Sequence, residues 1–150
     1  MFDRHGIYER FCESYDMDSP VALAKMLGIP HSSVSRWRAC ITPIPWKWLR
    51  RAVNDRELSW DWLLEGKGQK HHSSNVLSKS EDFDWYEINR RFLSLFPNKT
   101  QFEIAEELDV SQATVSRWDT VQEPVSWERL GNAVKERGVT WDWLIEGILP

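Results

Sequence analysis

Val34-Ser35-Arg36-Trp37 returns at 115–118, and Trp60-Asp61-Trp62-Leu63 returns at 141–144, both displaced by 81 positions. A constant offset of this kind predicts a duplicated folding unit. Aligning 7–66 with 88–147 needs no gap, and 21 of the 60 pairs are identical, with conservative pairs such as Leu23/Ile104, Ile29/Val110 and Leu58/Val139 among the rest. A unit of about 60 residues exceeds the usual solenoid repeat and approaches the smallest size that builds its own core. The expectation is two folded domains, 1–66 and 85–150, joined by a polar linker at 67–84.

Each copy reads as five helices. The first is expected at 7–15 and 86–96, where Ile7/Phe11 and Ile88/Phe92 share a face at i,i+4 spacing. The second begins at Ser19-Pro20, a capping hydroxyl before a proline, and at Thr100-Gln101-Phe102-Glu103, a capping box, and runs to Leu27 and Leu108. A third starts near His31 and Gln112 and ends around 37–39 and 118–120. The fourth follows Pro43 and Pro124, with Trp46/Leu49/Val53 and Trp127/Leu130/Val134 on one face. The fifth is capped by Ser59 and Thr140 and stopped by Gly66 and Gly147. No stretch alternates apolar and polar over strand length, so the fold class is all-α. Nine of the ten tryptophans lie at or near helical faces and read as core.

At 41% hydrophobic, the chain holds no apolar run near the ~18–20 residues of a membrane span. Its N-terminus lacks a basic-then-apolar leader, which predicts a soluble, cytoplasmic protein with no membrane partner. Cys12 and Cys40 face Leu93 and Val121 in the other copy, so they read as buried, reduced thiols at apolar sites. His71-His72 in the linker lacks carboxylate or thiol partners and reads as solvated loop; no metal site and no cofactor are expected. Eighteen linker residues would stretch to about 60 Å, with a flexible span of about 23 Å.

Charge is uneven. Residues 1–66 hold nine Lys+Arg against nine Asp+Glu, 67–84 hold three of each, and 85–150 hold seven against eleven. The second copy therefore carries the whole net charge of −4, and the first is the better candidate for binding a polyanion.

The second helix, turn and third helix carry the functional pattern. Ala24 sits where two helices cross, Gly28 is in the turn, Ile29 packs after it, and Val34 and Trp37 lie on the buried side of the next helix. This is the spacing of a helix-turn-helix, which needs a small residue at the crossing, an unusual backbone in the turn and apolar anchors beneath an outward-facing helix. The second copy has Asp109 at the turn, and aspartate tolerates left-handed backbone better than most residues.

Leu27-Gly-Ile-Pro-His-Ser-Ser-Val-Ser-Arg-Trp37, Pro-x-x-Trp at 43–46 and Leu58-Ser-Trp-Asp-Trp-Leu-Leu-Glu-Gly66 together resemble the N-terminal DNA-binding domain of phage CI-type repressors, within the lambda-repressor-like superfamily. Leu108-Asp-Val-Ser-Gln-Ala-Thr-Val-Ser-Arg-Trp118 and Val139-Thr-Trp-Asp-Trp-Leu-Ile-Glu-Gly147 carry the same resemblance. Such repressors usually pair one such domain with an oligomerisation domain, for which this chain has no room. The resemblance implies base contacts from His31, Ser32, Ser35 and Arg36, and from Gln112, Ala113, Ser116 and Arg117. An arginine in the major groove can grip guanine O6 and N7, a glutamine suits adenine, and an alanine can meet a thymine methyl. Phosphate contacts are expected from Ser19, Arg38, Lys47, Arg50 and Arg51, and from Thr100 and Gln101. Gln101 falls where related repressors use glutamine to brace a recognition glutamine and touch phosphate. Asp119, Glu128, Gly131 and Asn132 stand where the first copy has Arg38, Lys47, Arg50 and Arg51, so the second grip should be weaker.

The expected partner is double-stranded DNA, with the chain acting as a repressor-type transcription regulator. A homodimer through the fifth helix or the apolar end Ile148-Leu149-Pro150 is compatible with that reading. The alternative is an adaptor or antirepressor whose second copy binds a protein partner; in its favour stand Glu103, Glu106, Glu107 and Asp109 and the change from Arg38 to Asp119. An enzyme is not expected. Neither cysteine has a histidine at informative spacing, there is no glycine-rich phosphate loop, and Asp61 and Asp142 read as first-turn helix charges rather than general bases.

Overall fold

Most helix starts in this chain are set by side chains that satisfy the first free amides, the exceptions being those that follow Pro30 and Pro45. Asp3 Oδ1 accepts from the Gly6 amide at 3.1 Å, Ser19 Oγ from Ala22 at 3.4 Å and Ser59 Oγ from Trp62 at 3.4 Å. Asp84, Ser111, Ser126 and Thr140 do the same for later helices, and Thr100 closes a full capping box with Glu103. The structure, a computed structural model, describes residues 2–71 and 80–149.

The helices are α1 (Arg4–Ser14), α2 (Pro20–Leu27), α3 (His31–Arg38), α4 (Trp46–Arg56), α5 (Trp60–Glu65), α6 (Trp85–Leu93), α7 (Gln101–Leu108), α8 (Gln112–Asp119), α9 (Trp127–Arg137) and α10 (Trp141–Glu146). Among the described residues there is no strand; the single extended pairing is an isolated antiparallel bridge between Leu58 and His71. The protein is all-α. It divides into two units, Met1–Asp82 and Phe83–Pro150.

In unit 1, α1 lies against α3, α4 and α5, and α2 packs on α3. Phe11, Leu23, Val34, Val53, Leu58, Trp60 and Leu63 are wholly buried, each contributing about 1.5–3 kcal/mol of transfer free energy. Phe11 meets Trp37 edge to face at 6.2 Å, and Trp46 tilts against Trp60 at 6.2 Å. In unit 2, α6 lies against α8 and α10, and α7 packs on α8. Phe92 meets Trp118 edge to face at 5.7 Å, and Trp127 tilts against Trp141 at 6.3 Å.

Arg10 and Arg91 perform matching structural work. Arg10 Nε and Nη2 donate to the Leu63 and Leu64 carbonyls at 2.8 and 3.1 Å; Arg91 does the same to Leu144 and Ile145 at 2.8 and 2.9 Å. Each guanidinium fork ties the first helix of its unit to the unsatisfied end of the last. Burial lowers the pKa of both arginines from the ordinary value.

Four expectations change. First, α1 begins at Arg4 rather than 7, because Asp3 caps it; α6 is capped by Asp84 and ends at Leu93 rather than 96. Second, only Trp37, Trp60, Trp118 and Trp141 are buried, and the other six tryptophans are half-buried. Third, Cys12 is buried, with its thiol pKa raised by burial, whereas Cys40 is half-buried. Fourth, residues expected as free linker are attached to unit 1: the Ser59 amide donates to the Lys70 carbonyl at 2.9 Å, His71 Nδ1 to the Arg56 carbonyl at 2.9 Å, and Arg50 Nε and Asn54 Nδ2 to the Ser80 carbonyl at 3.1 and 2.9 Å. The remainder of the linker reading, 72–79, including His72, lies outside the described residues, as does Pro150.

Candidate nucleic-acid interface

The turn between α2 and α3 turns on one left-handed residue. Gly28 has φ 71° and ψ 33°, and Asp109, between α7 and α8, has φ 56° and ψ 49°. The next amide then reaches back across the turn: Ile29 donates to the Ala24 carbonyl at 3.1 Å and Val110 to Ala105 at 2.9 Å. Both alanines are 4% exposed, which fits the requirement for a small side chain where the helices meet.

Burial of Val34 and Trp37 beneath α3, and of Val115 and Trp118 beneath α8, fixes which faces look outward. His31, Ser32 and Arg36 are exposed and Ser35 is half-buried; Gln112, Ala113 and Arg117 are exposed and Ser116 is half-buried. All eight residues expected to read bases therefore sit on the outward faces of α3 and α8. Ser35 Oγ lies 3.3 Å from His31 Nε2, one turn away.

Three arginines recur at the 81-residue offset: 10/91, 36/117 and 56/137. Arg10 and Arg91 clamp carbonyls, as above. Arg56 lies over the Tyr15 ring at 5.2 Å, and Arg137 over the Phe96 ring at 4.5 Å. These two pairs are accounted for by matched internal contacts. The side chains of Arg36 and Arg117 share none: Arg36 makes no ion pair among the described residues, while Arg117 faces Glu123 Oε2 at 3.5 Å.

Of the expected phosphate contacts, Arg38, Lys47, Arg51 and Thr100 are exposed, and Ser19 and Gln101 half-buried. Lys47 and Arg51 flank the half-buried Trp48 ring at 5.3 and 5.5 Å, which adds a flat apolar element to a basic helix start. Arg50 departs from the expectation. It is 2% exposed, its guanidinium is committed to the Ser80 carbonyl, and it is withdrawn from the candidate surface. The i,i+3 offset from Lys47 gave no sign of this, because the partner lies 30 residues along the chain.

Gln101 also differs from expectation: its Nε2 donates to Asp119 Oδ2 at 3.2 Å, so it braces the end of α8 rather than Gln112. Glu103 turns its carboxylate to the Thr100 amide at 3.2 Å. Glu107 is paired with Lys99 and, at 2.8 Å, with Arg137; the hydrogen bond from Lys99 holds its carboxyl below the usual carboxylate range. Two of the four acids that suggested an acidic docking patch thus have internal work, leaving Glu106 and Asp109 exposed without it.

The sequence reading also missed the turn leaving each outward helix. Cys40 and Val121 are left-handed, with φ 59° and 57°, and the following amides donate to Arg36 and Arg117 carbonyls at 2.9 and 2.8 Å. A cysteine facing a valine resembles a core exchange, and neither residue type signals positive φ.

Among the described residues, no group of three or more His, Cys, Asp and Glu side chains is placed to hold a metal ion, and no helix is long and apolar enough to cross a membrane. No curated protein and no solved structure matches the chain. Residues 6–71, which include Lys67–His71 beyond the expected domain edge, match the family described as Bacteriophage CI repressor helix-turn-helix domain. Over that span the chain is similar to a DNA-binding regulator of the phage-repressor type.

Proposed function

We propose that the chain is a sequence-specific double-stranded DNA-binding regulator, a repressor by likeness, in which a duplicated helix-turn-helix gives two unequal readers. The observation that carries this reading is the recurrence of Arg36 and Arg117. They sit exposed on outward helix faces and, unlike the other two recurring arginine pairs, their side chains have no shared internal task. An arginine so placed can take guanine O6 and N7 together. His31, Ser32 and Ser35 extend the reading edge in unit 1, and Gln112, Ala113 and Ser116 in unit 2. Ser19, Arg38, Lys47 and Arg51 supply the phosphate grip of unit 1; Thr100 and Gln101 supply a weaker one in unit 2.

Two readers in one chain replace dimerisation by a high effective concentration. The half-sites need not be alike, so the operator is asymmetric. The test is to select duplexes from a random pool with the intact chain, beside an Arg36→Ala, Arg117→Ala double variant and each single variant. The expected product is a motif of two unequal halves, lost in the double variant and weakened more by Arg36→Ala than by Arg117→Ala. Affinity should fall with salt by roughly 0.9 log units per released counterion per log unit of salt. A perfect palindrome bound by two chains would overturn the asymmetric operator. Enrichment of nothing by any form would favour the adaptor, whose specific support is that Arg117 and Asp119 are already paired within unit 2.

A further inference from the structure

In unit 2 the arginine that answers to Arg36 is held by its own domain. Arg117 Nε lies 3.5 Å from Glu123 Oε2, and Nη2 donates to Thr114 Oγ1 at 3.3 Å. The carboxylate is carried on a fixed turn. Asn89, 1% exposed, donates through Nδ2 to the Glu123 and Trp118 carbonyls at 3.0 and 3.1 Å and accepts through Oδ1 from the Val125 amide at 3.1 Å. One buried amide side chain therefore joins the end of α8 to the turn that carries Glu123. It supplies a partner to the Val125 amide and the Glu123 carbonyl and a second donor to the Trp118 carbonyl, which also accepts from the Val121 amide. Tyr8 and Thr42 occupy the matching positions of unit 1, and Arg36 has no carboxylate within ion-pair reach among the described residues.

We infer that Glu123 is an internal competitor for Arg117 that sets the DNA affinity of unit 2, an inference that rests on the DNA-reading function proposed above. For Arg117 to reach a base edge it must leave the carboxylate. Glu123 then stands without a counter-charge beside the incoming phosphates, at the position where unit 1 has the neutral Thr42. Both costs fall on unit 2 alone. The consequence is an order of engagement: the half-site of unit 1 fills first, and unit 2 follows because attachment to a seated neighbour raises its local concentration.

The test uses the intact chain on the duplex that it selects, with quantitative footprinting of both halves across salt concentrations. Glu123→Thr installs the residue that unit 1 carries, and Glu123→Gln removes the charge while keeping the length. Because the Glu123 side chain is half-buried at the surface rather than in the core and the turn is held through bonds to its main chain, both variants should fold, which circular dichroism checks. Exposed ion pairs are worth up to about 1 kcal/mol, about fivefold in affinity, and lifting phosphate repulsion adds to this. Both variants should therefore raise occupancy of the second half-site about threefold to tenfold, steepen its salt dependence and leave the Arg36-dependent first half unchanged. An unchanged second half would overturn the competitor. A weakened one would overturn it too, making Glu123 a prop that aims Arg117 at its base. Absence of any Arg36-dependent footprint in all forms is a different failure: it defeats the DNA-reading function itself and the competitor with it.

Discussion

Gly28 and Asp109 occupy the same backbone region at the same point of their turns, and only one of them is suited to it without cost. A Cβ on Gly28 would meet no atom within 4 Å, so the penalty for adding one is purely that of a left-handed L-residue. Gly28→Ala should destabilise unit 1 by about 1 kcal/mol. Asp109→Gly should stabilise unit 2 by about 0.5 kcal/mol, since aspartate already tolerates the region in part. Urea unfolding followed by tryptophan fluorescence reads both; a gain from Gly28→Ala, or a loss from Asp109→Gly, would show that something other than φ governs these turns. Tyr8 and Tyr15 give a second residue-scale expectation. Burial, joined by a Cys12 hydrogen bond at Tyr8 and by Asp55 at Tyr15, raises both hydroxyls above the ordinary 10.0. The folded state holds these protons more tightly than the unfolded state, so their contribution is complete below about pH 10 and is lost as pH rises beyond it. Asn89 and Phe96 replace them in unit 2. Unit 1 should unfold first in alkali, with tyrosinate absorbance rising alongside the unfolding signal; alkaline melting of both units together, or of unit 2 first, would contradict this.

Among elements, the short last helices α5 and α10 depend most on contacts from elsewhere. Six residues each are too few for a helix to persist in water on propensity alone. Ser59 and Thr140 close their starts, Gly66 and Gly147 turn their ends, and the Arg10 and Arg91 forks take up the carbonyls left over. Arg10→Ala should cost about 2 kcal/mol through the loss of charge-assisted bonds and the exposure of α5's end. Arg10→Lys should recover only part of this, because a lysine offers a point charge in place of a fork. Equal stability of the lysine variant and the wild type by thermal unfolding would refute the bidentate role. The outward helices α3 and α8 contrast with these ends: their inner faces are fixed by Val34/Trp37 and Val115/Trp118, and their outer faces are left to whatever they bind.

For the whole molecule, the two units share helix order and core geometry while their outward chemistry diverges. At four matching places unit 1 has Ala22, Arg38, Thr42 and Lys47 where unit 2 has Glu103, Asp119, Glu123 and Glu128. Three of the four acids make an internal polar contact of their own: Glu103 with the Thr100 amide, Asp119 with Gln101 and Glu123 with Arg117. That divergence, rather than any difference in fold, is what makes the proposed readers unequal.

Much of this was legible in the chain itself. Caps, left-handed stops and the i,i+4 apolar faces are local, so Ser19-Pro20, the Thr100 box, Gly66 and Gly147 announced their helices without reference to distant residues. The outward sides of α3 and α8 were legible for the same reason, since Val34/Trp37 and Val115/Trp118 set the buried side; which eight residues to single out there came from the resemblance to phage CI-type repressors. What the tertiary structure decided were pairings across many residues. Arg50 looked like its neighbours Lys47 and Arg51 until Ser80 returned to take its guanidinium; Gln101 met Asp119 rather than Gln112; Asn89, an ordinary polar residue in a helical stretch, became the buried tie beneath Glu123. Helical periodicity and capping act over a few bonds and are written in adjacent residues. Which polar group satisfies which depends on where the folded chain brings distant segments together, and that is fixed only once the core has closed.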